Sequence, residues 1–240
     1  MKNQTQFKRI AAISAILSAP VVLANTIVLL MAVNFNTEFM SNPADLITIG
    51  APASETFRWG EILGLGAPTL LLVPAVLYLW YWLKPRAPRL VTLYTFFGLG
   101  SLLLAAIGCL LRATVYPPLM NAYTQASETQ RDVLVAIFQG LTDFNFEGLW
   151  ALELIFGAIW WLGIGPLLRS ERRILGIVTM ILGALYLVAG AGWLLRVGPL
   201  ARLENAFFFV PFWTVWLGIV IWRNRDKNEY TFESTTAASN

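Results

Sequence analysis

Two glutamates stand in the apolar stretch EGLWALELIFGAIWWLGIGPLLR, residues 147–169; Glu147 opens it and Glu153 lies a turn and a half further in. A carboxylate inside a run that could cross a bilayer is costly, and it normally faces a bundle interior or a wet cavity. Glu153 is sixteen residues from Arg169, which at 1.5 Å per residue puts it about 24 Å from one membrane edge and about 6 Å inside the other. Asn25, sixteen residues after Arg9, falls at the same depth and is the expected polar neighbour of Glu153. Two chemistries follow. Glu153 is either a polar clamp that fixes helix packing, or a carboxylate that binds a proton or a ligand in a cavity. In the second case Asn25 completes the site, or an arginine such as Arg112 or Arg196 reaches inward to an ionised Glu153.

Five further charges mark one edge of the apolar runs. Glu61, Glu147 and Glu204 are expected to begin helices, and Arg112 and Arg196 to end them. Each sign suits the partial charge of the helix end it would occupy. These residues are expected to pair around the rim, Arg196 with Glu204 most easily, as ion pairs of structural value. Such pairs contribute under about 1 kcal/mol when solvated.

What is absent narrows the chemistry. The chain has no histidine and one cysteine, Cys109. The usual haem ligand, the commonest general base and most zinc sites are therefore missing. No glycine-rich phosphate loop or nucleophile elbow occurs, so no catalytic residue, metal ligand or cofactor is assigned.

The elements that must position these residues are membrane helices. Of 240 residues, 57% are hydrophobic and 13% charged, against about 25% charged in an average soluble domain. The expected fold is all-α, a polytopic bundle of six transmembrane helices at about 9–33, 61–83, 90–112, 147–168, 174–196 and 204–222. Residues 1–8 precede the 9–223 membrane domain, and 224–240 form a polar tail expected to be disordered. The first run continues through IVLLMAV to residue 33, too long for a secretory h-region, so an uncleaved helix is expected.

Twelve of the 17 Lys and Arg residues lie in the termini and in the loops KPRAPR and RSERR. Positive residues stay cytoplasmic, which predicts both termini inside. The outer connections are then about 34–60 and 113–146. Within the second, Ser127 and Gln130 fit a capping box. Val133, Leu134, Ile137, Phe138 and Leu141 recur at helical spacing, predicting an amphipathic helix on the outer membrane surface or over the bundle. The aromatics Trp160, Trp161 and Trp222 are expected at the inner interface, and Trp59, Trp150 and Trp193 at the outer one.

The segments AAIGCLLR (105–112) and AGAGWLLR (189–196) share Ala-x-x-Gly-x-Leu-Leu-Arg, each 23 residues from the last arginine of a basic loop to its own arginine. A parallel repeat of helices two and three in helices four and five would explain this. Recurrence of small residues for close packing is the alternative.

The exit LYLWYWLKPR, the Leu175-Gly176 start after a basic loop and the closing PFWTVWLGIVIWR together resemble an uncharacterised bacterial six-helix membrane family of unknown function. Where that family would place Pro-Arg-Trp before Leu-Gly, this chain has ERRI. The resemblance implies a six-helix fold and a bacterial inner-membrane location, and supplies no activity. The reading is a non-catalytic accessory, scaffold or sensor-like membrane protein working at its outer face. The alternative is a small proton-linked transporter or small-molecule-binding membrane protein that uses Glu153. The partners expected are the lipid bilayer and another membrane protein, with no nucleic acid; oligomeric state is open.

Overall fold

Five helical stretches are long and apolar enough to cross a membrane in the structure, a computed structural model that describes residues 2–36, 39 and 43–224. They are Gln4–Ala32, Pro88–Gln125, Glu128–Glu171, Arg173–Leu194 and Gly198–Arg223. All regular structure among the described residues is helical. In chain order the helices are α1 (Lys2–Ala32), α2 (Pro43–Thr48), α3 (Ala51–Gly64), α4 (Val73–Leu83), α5 (Pro88–Gln125), α6 (Glu128–Asp143), α7 (Ala151–Glu171), α8 (Arg173–Leu194), α9 (Gly198–Ala201) and α10 (Val210–Arg223).

The run expected as the second span is in pieces. A π-helical stretch (Leu65–Thr69) and a 3-10 turn (Leu70–Leu72) separate α3 from α4, leaving Leu70–Leu83 as a shorter apolar helix. Pro68 and Pro74 have no N–H to give to a helical ladder, and the Thr69 hydroxyl donates to the Leu65 carbonyl instead. A second π stretch, Phe144–Trp150, joins α6 to α7 without a break.

The rods are arranged around a ring in chain order: α1, α3/α4, α5, α7, α8 and α10, with α10 closing on α1. Small residues permit the closest approaches. A Cβ on Gly218 of α10 would sit 2.8 Å from the Ala12 carbonyl oxygen of α1, and one on Gly190 of α8 would sit 3.0 Å from that of Ala151. The core inside the ring is aliphatic with an aromatic stack at its centre. Trp213 stacks on Trp161 at 4.7 Å, Trp161 on Tyr186 at 5.2 Å, and Trp160 meets Trp213 edge-on at 6.0 Å. Trp160 and Trp161, expected at the inner interface, are buried packing residues. Their large faces fill space that glycines leave open, Gly98 beneath Trp160 being one case.

The two ends of the ring differ. One end is basic and holds both described chain ends, since Lys8 donates to the Asn224 carbonyl at 2.9 Å. There Arg86 bridges to Glu171 and donates to Leu167 O and Ser170 Oγ, tying the two short basic loops together. The polar tail expected to be disordered falls, from residue 225 on, outside the described residues.

At the other end the connections are folded. The helix expected to stop at Arg112 runs on to Gln125, and residues 51–60 and 128–143, expected as connections with one helix among them, are helical too. A helix of 38 residues is about 57 Å long, well over the roughly 30 Å of a hydrocarbon core. Its extension carries a second core, where Tyr116 and Met120 pack with Ile47, Phe57 and Phe138. Tyr116 also donates to Thr142 at 3.1 Å. The Ser127–Gln130 capping box is present at the start of α6. Phe138 of its apolar face is fully buried on this core, while Val133 and Ile137 are exposed.

Candidate functional site

The polar side chains gather in two groups at the end opposite the basic one. The first is internal. Arg112 of α5 pairs with Glu61 of α3, Nε to Oε1 at 2.9 Å, with side chains only 12% and 4% exposed. Arg112 also donates to Asn145 Oδ1 at 2.5 Å and lies 3.6 Å from Cys109 Sγ. Asn145, fully enclosed in the second π stretch, donates back to the Gly108 carbonyl at 3.3 Å. The Phe146 ring stands 5.7 Å from the guanidinium. Every strong donor and acceptor of this cluster is thus met, as buried polar groups require. The cluster ties α3, α5 and the π stretch before α7.

This corrects the expectation for Glu61 and Arg112. Glu61 does not begin a helix and Arg112 does not end one: α3 begins ten residues before Glu61, and α5 continues thirteen beyond Arg112. Helix-end partial charge therefore does not account for them. They form an enclosed ion pair instead of a solvated rim pair.

Asn25 and Glu153 flank that cluster. Asn25 donates to the Gly60 carbonyl at 2.7 Å, across the close approach of α1 and α3. The expected hydrogen bond between them does not form, because the Asn25 amide is turned to α3. The Glu153 carboxylate, on a partly buried residue, makes no hydrogen bond or ion pair among the described residues, yet lies within electrostatic reach of Arg112 and Cys109. Its backbone carbonyl accepts from Ser101 at 3.0 Å.

The second group lines an open pocket of about 500 Å³, within the size range of small-molecule sites. Arg196 pairs with Glu147 through Nη2 at 2.6 Å and Nε at 3.1 Å, rather than with Glu204. Glu204 Oε2 accepts from the indoles of Trp150 at 2.9 Å and Trp193 at 2.8 Å. The α8 exit explains this exchange. Arg196 follows the helix with φ 55°, and Val197 N–H returns to Gly192 O at 2.8 Å, which closes the turn. That left-handed position normally takes glycine. It swings the Arg196 side chain away from the following turn and toward Glu147.

Asn145, Phe146, Asp143 and Arg202 belong to these two groups and were not singled out by sequence reasoning, while Trp150 and Trp193 were expected only as outer-interface aromatics. The one signal for Asn145 is its place between two phenylalanines just before an apolar run. Two other pockets, one bounded by Met31, Asn34 and Thr56 and one by Glu55, Arg58 and Asn121, open at this same end. Among the described residues no three His, Cys, Asp or Glu side chains converge as a metal site requires.

No curated protein and no solved structure matches the chain. A family model does, and it is an uncharacterised one, as the helix-exit motifs implied. The family described as a domain of unknown function (DUF4386) matches residues 10–223, and the chain belongs to that family.

Proposed function

We propose that this protein is a six-span component of a bacterial cytoplasmic membrane, with both termini inside, that acts without catalysis through its extracytoplasmic end. The interrupted run over residues 51–83 is the sixth span in this reading, and the cap formed by α2, α6 and the extension of α5 stands outside. The role is that of an accessory, scaffold or sensor-like subunit. The observation that carries it is the gathering of pockets, enclosed ion pair and folded cap at the end opposite the basic loops. Basic loops stay cytoplasmic, so everything able to recognise a ligand or partner faces out.

Cysteine labelling in intact cells tests this. Exposed Glu128→Cys on α6 should react with a membrane-impermeant maleimide, and exposed Arg89→Cys at the basic end should react only after lysis. The reverse pattern sinks the reading. Cys109, 7% exposed, should stay silent in both.

Glu153 supports a second reading, a small proton-linked transporter, because its carboxylate is left without a hydrogen-bond or ion-pair partner among the described residues beside an arginine already engaged elsewhere. Reconstituted protein should then let an imposed pH gradient decay, an activity retained by Glu153→Asp and lost by Glu153→Gln. A gradient as stable as that of empty vesicles removes this reading.

A further inference from the structure

The pocket between the end of α6, the exit of α8 and the turn before α10 has a composition that packing does not explain. Two aromatic rings, Phe146 and Trp193, line one side of it, packed on each other at 5.9 Å with 26° between planes. Three carboxylates, Asp143, Glu147 and Glu204, share the space with two guanidiniums, Arg196 and Arg202. Glu204 is held in place through one oxygen only, by the two indole N–H groups, so Oε1 is free of hydrogen bonds among the described residues. The side chain of Asp143 likewise has no hydrogen bond or ion pair among them.

Aromatic faces beside fixed carboxylates are the surroundings an organic ammonium seeks. The guanidiniums add a place for an anion close by. Arg196 is 75% exposed, and it occupies a left-handed backbone position where glycine would be easier. A non-glycine residue held in such a conformation beside a pocket points to a use for its side chain. Arg202, also exposed, has no carboxylate partner within ion-pair distance among the described residues.

We propose that this pocket binds a zwitterionic phosphate ester that bears an ammonium group. The ammonium rests against Trp193, Phe146, Glu204 and Asp143, and the phosphate is met by Arg196 and Arg202. The proposal rests on this end being the working face. Two sources carry the same chemistry, the headgroup of a bilayer phospholipid and a free phosphoammonium solute.

Native mass spectrometry of the full chain released from detergent separates them. The probes are dihexanoyl phosphatidylethanolamine, dihexanoyl phosphatidylglycerol and free phosphoethanolamine. The ethanolamine lipid should bind about tenfold or more tightly than the glycerol lipid, since the latter offers no cation to the aromatic wall. Glu204→Gln and Trp193→Leu should each remove about that tenfold preference, while Glu55→Gln, outside the pocket, should keep it. Asp143→Asn breaks no hydrogen bond or ion pair among the described residues and should also lower the preference, which covers a Glu204 variant that fails to fold.

Binding of the free ester as well as the lipid identifies headgroup chemistry alone, and binding of the lipid alone identifies the bilayer as the source. Equal binding of the two lipids, or a preference unchanged in Asp143→Asn and Glu204→Gln, overturns the proposal. Glu128→Cys labelled from outside together with no lipid preference defeats this inference only. Labelling from the cytoplasm defeats the reading of the face beneath it.

Discussion

Arg112 reaches Glu61 at 2.9 Å, and Arg196 reaches Glu147 at 2.6 Å, so each arginine that closes an Ala-x-x-Gly-x-Leu-Leu-Arg segment pairs with a glutamate on the preceding arm of its own helical hairpin. The partners are 51 residues apart in the first hairpin and 49 in the second. The sequence echo is thus also an echo of contact. The surroundings are opposite. The first pair is 12% and 4% exposed inside a finished helix, the second 75% and 32% exposed past a helix end.

That difference in solvent sets the first prediction. Removing one partner of an enclosed pair strands the other charge, at a cost of about 3–5 kcal/mol, whereas an exposed pair is worth under about 1 kcal/mol. Arg112→Gln should therefore lower the melting temperature of the detergent-solubilised protein far more than Arg196→Gln. Replacing both Glu61 and Arg112 by apolar residues should restore most of the loss. Equal effects of the two single changes would show that the Glu61–Arg112 pair is hydrated.

Arg196 supplies the second. Its left-handed backbone costs about 1–2 kcal/mol that glycine would not incur, against the small return of an exposed pair. Arg196→Gly should hold or raise the melting temperature while releasing Glu147. A clear loss of stability would mean that the Glu147 bond outweighs the backbone strain.

Glycine spacing supplies the third. A Cβ on Gly176 would lie 2.3 Å from the Arg169 backbone nitrogen and 2.6 Å from the Gly165 carbonyl oxygen, so backbone must move before it fits. Gly66 and Gly140 have nothing within 4 Å. Gly176→Ala should separate α7 from α8 and sharply reduce folded yield. Gly140→Ala should instead be neutral or gain up to about 1 kcal/mol from helix propensity. Size-exclusion yield and melting temperature read both.

The apolar runs were legible because their lengths answer to the thickness of a bilayer, and the capping box announced α6. Helix ends were not legible from charge. Arg112 looked like a terminus because it ends an apolar run, but the helix goes on as an amphipathic post, and Pro117-Pro118 do not stop it. Trp160 and Trp161 looked interfacial by their nearness to a basic loop. Their burial depends on Gly98 and Trp213, which are distant in sequence and meet them only in the ring. Glu153 was found by its depth alone. Its neighbour Arg112 had been considered, but the prior claim of Glu61 on that arginine is a long-range contact with no local signature.

The last prediction concerns that carboxylate. A packing clamp works through hydrogen bonds, and the side chain of Glu153 makes none among the described residues. Arg112 keeps Glu61 and Asn145 whatever stands at position 153. Replacing Glu153 therefore strands no partner, which is the usual source of a large loss. Glu153→Gln should leave the melting temperature within the range of a surface substitution, about ±0.5 kcal/mol. Glu153→Leu should do no worse, since it removes an uncompensated polar group from a partly buried site. If both variants instead lose more than about 1 kcal/mol, Glu153 holds the bundle together through a contact that forms in the membrane. Stability unchanged in both would leave the carboxylate free for binding or proton exchange, the condition the transport reading requires.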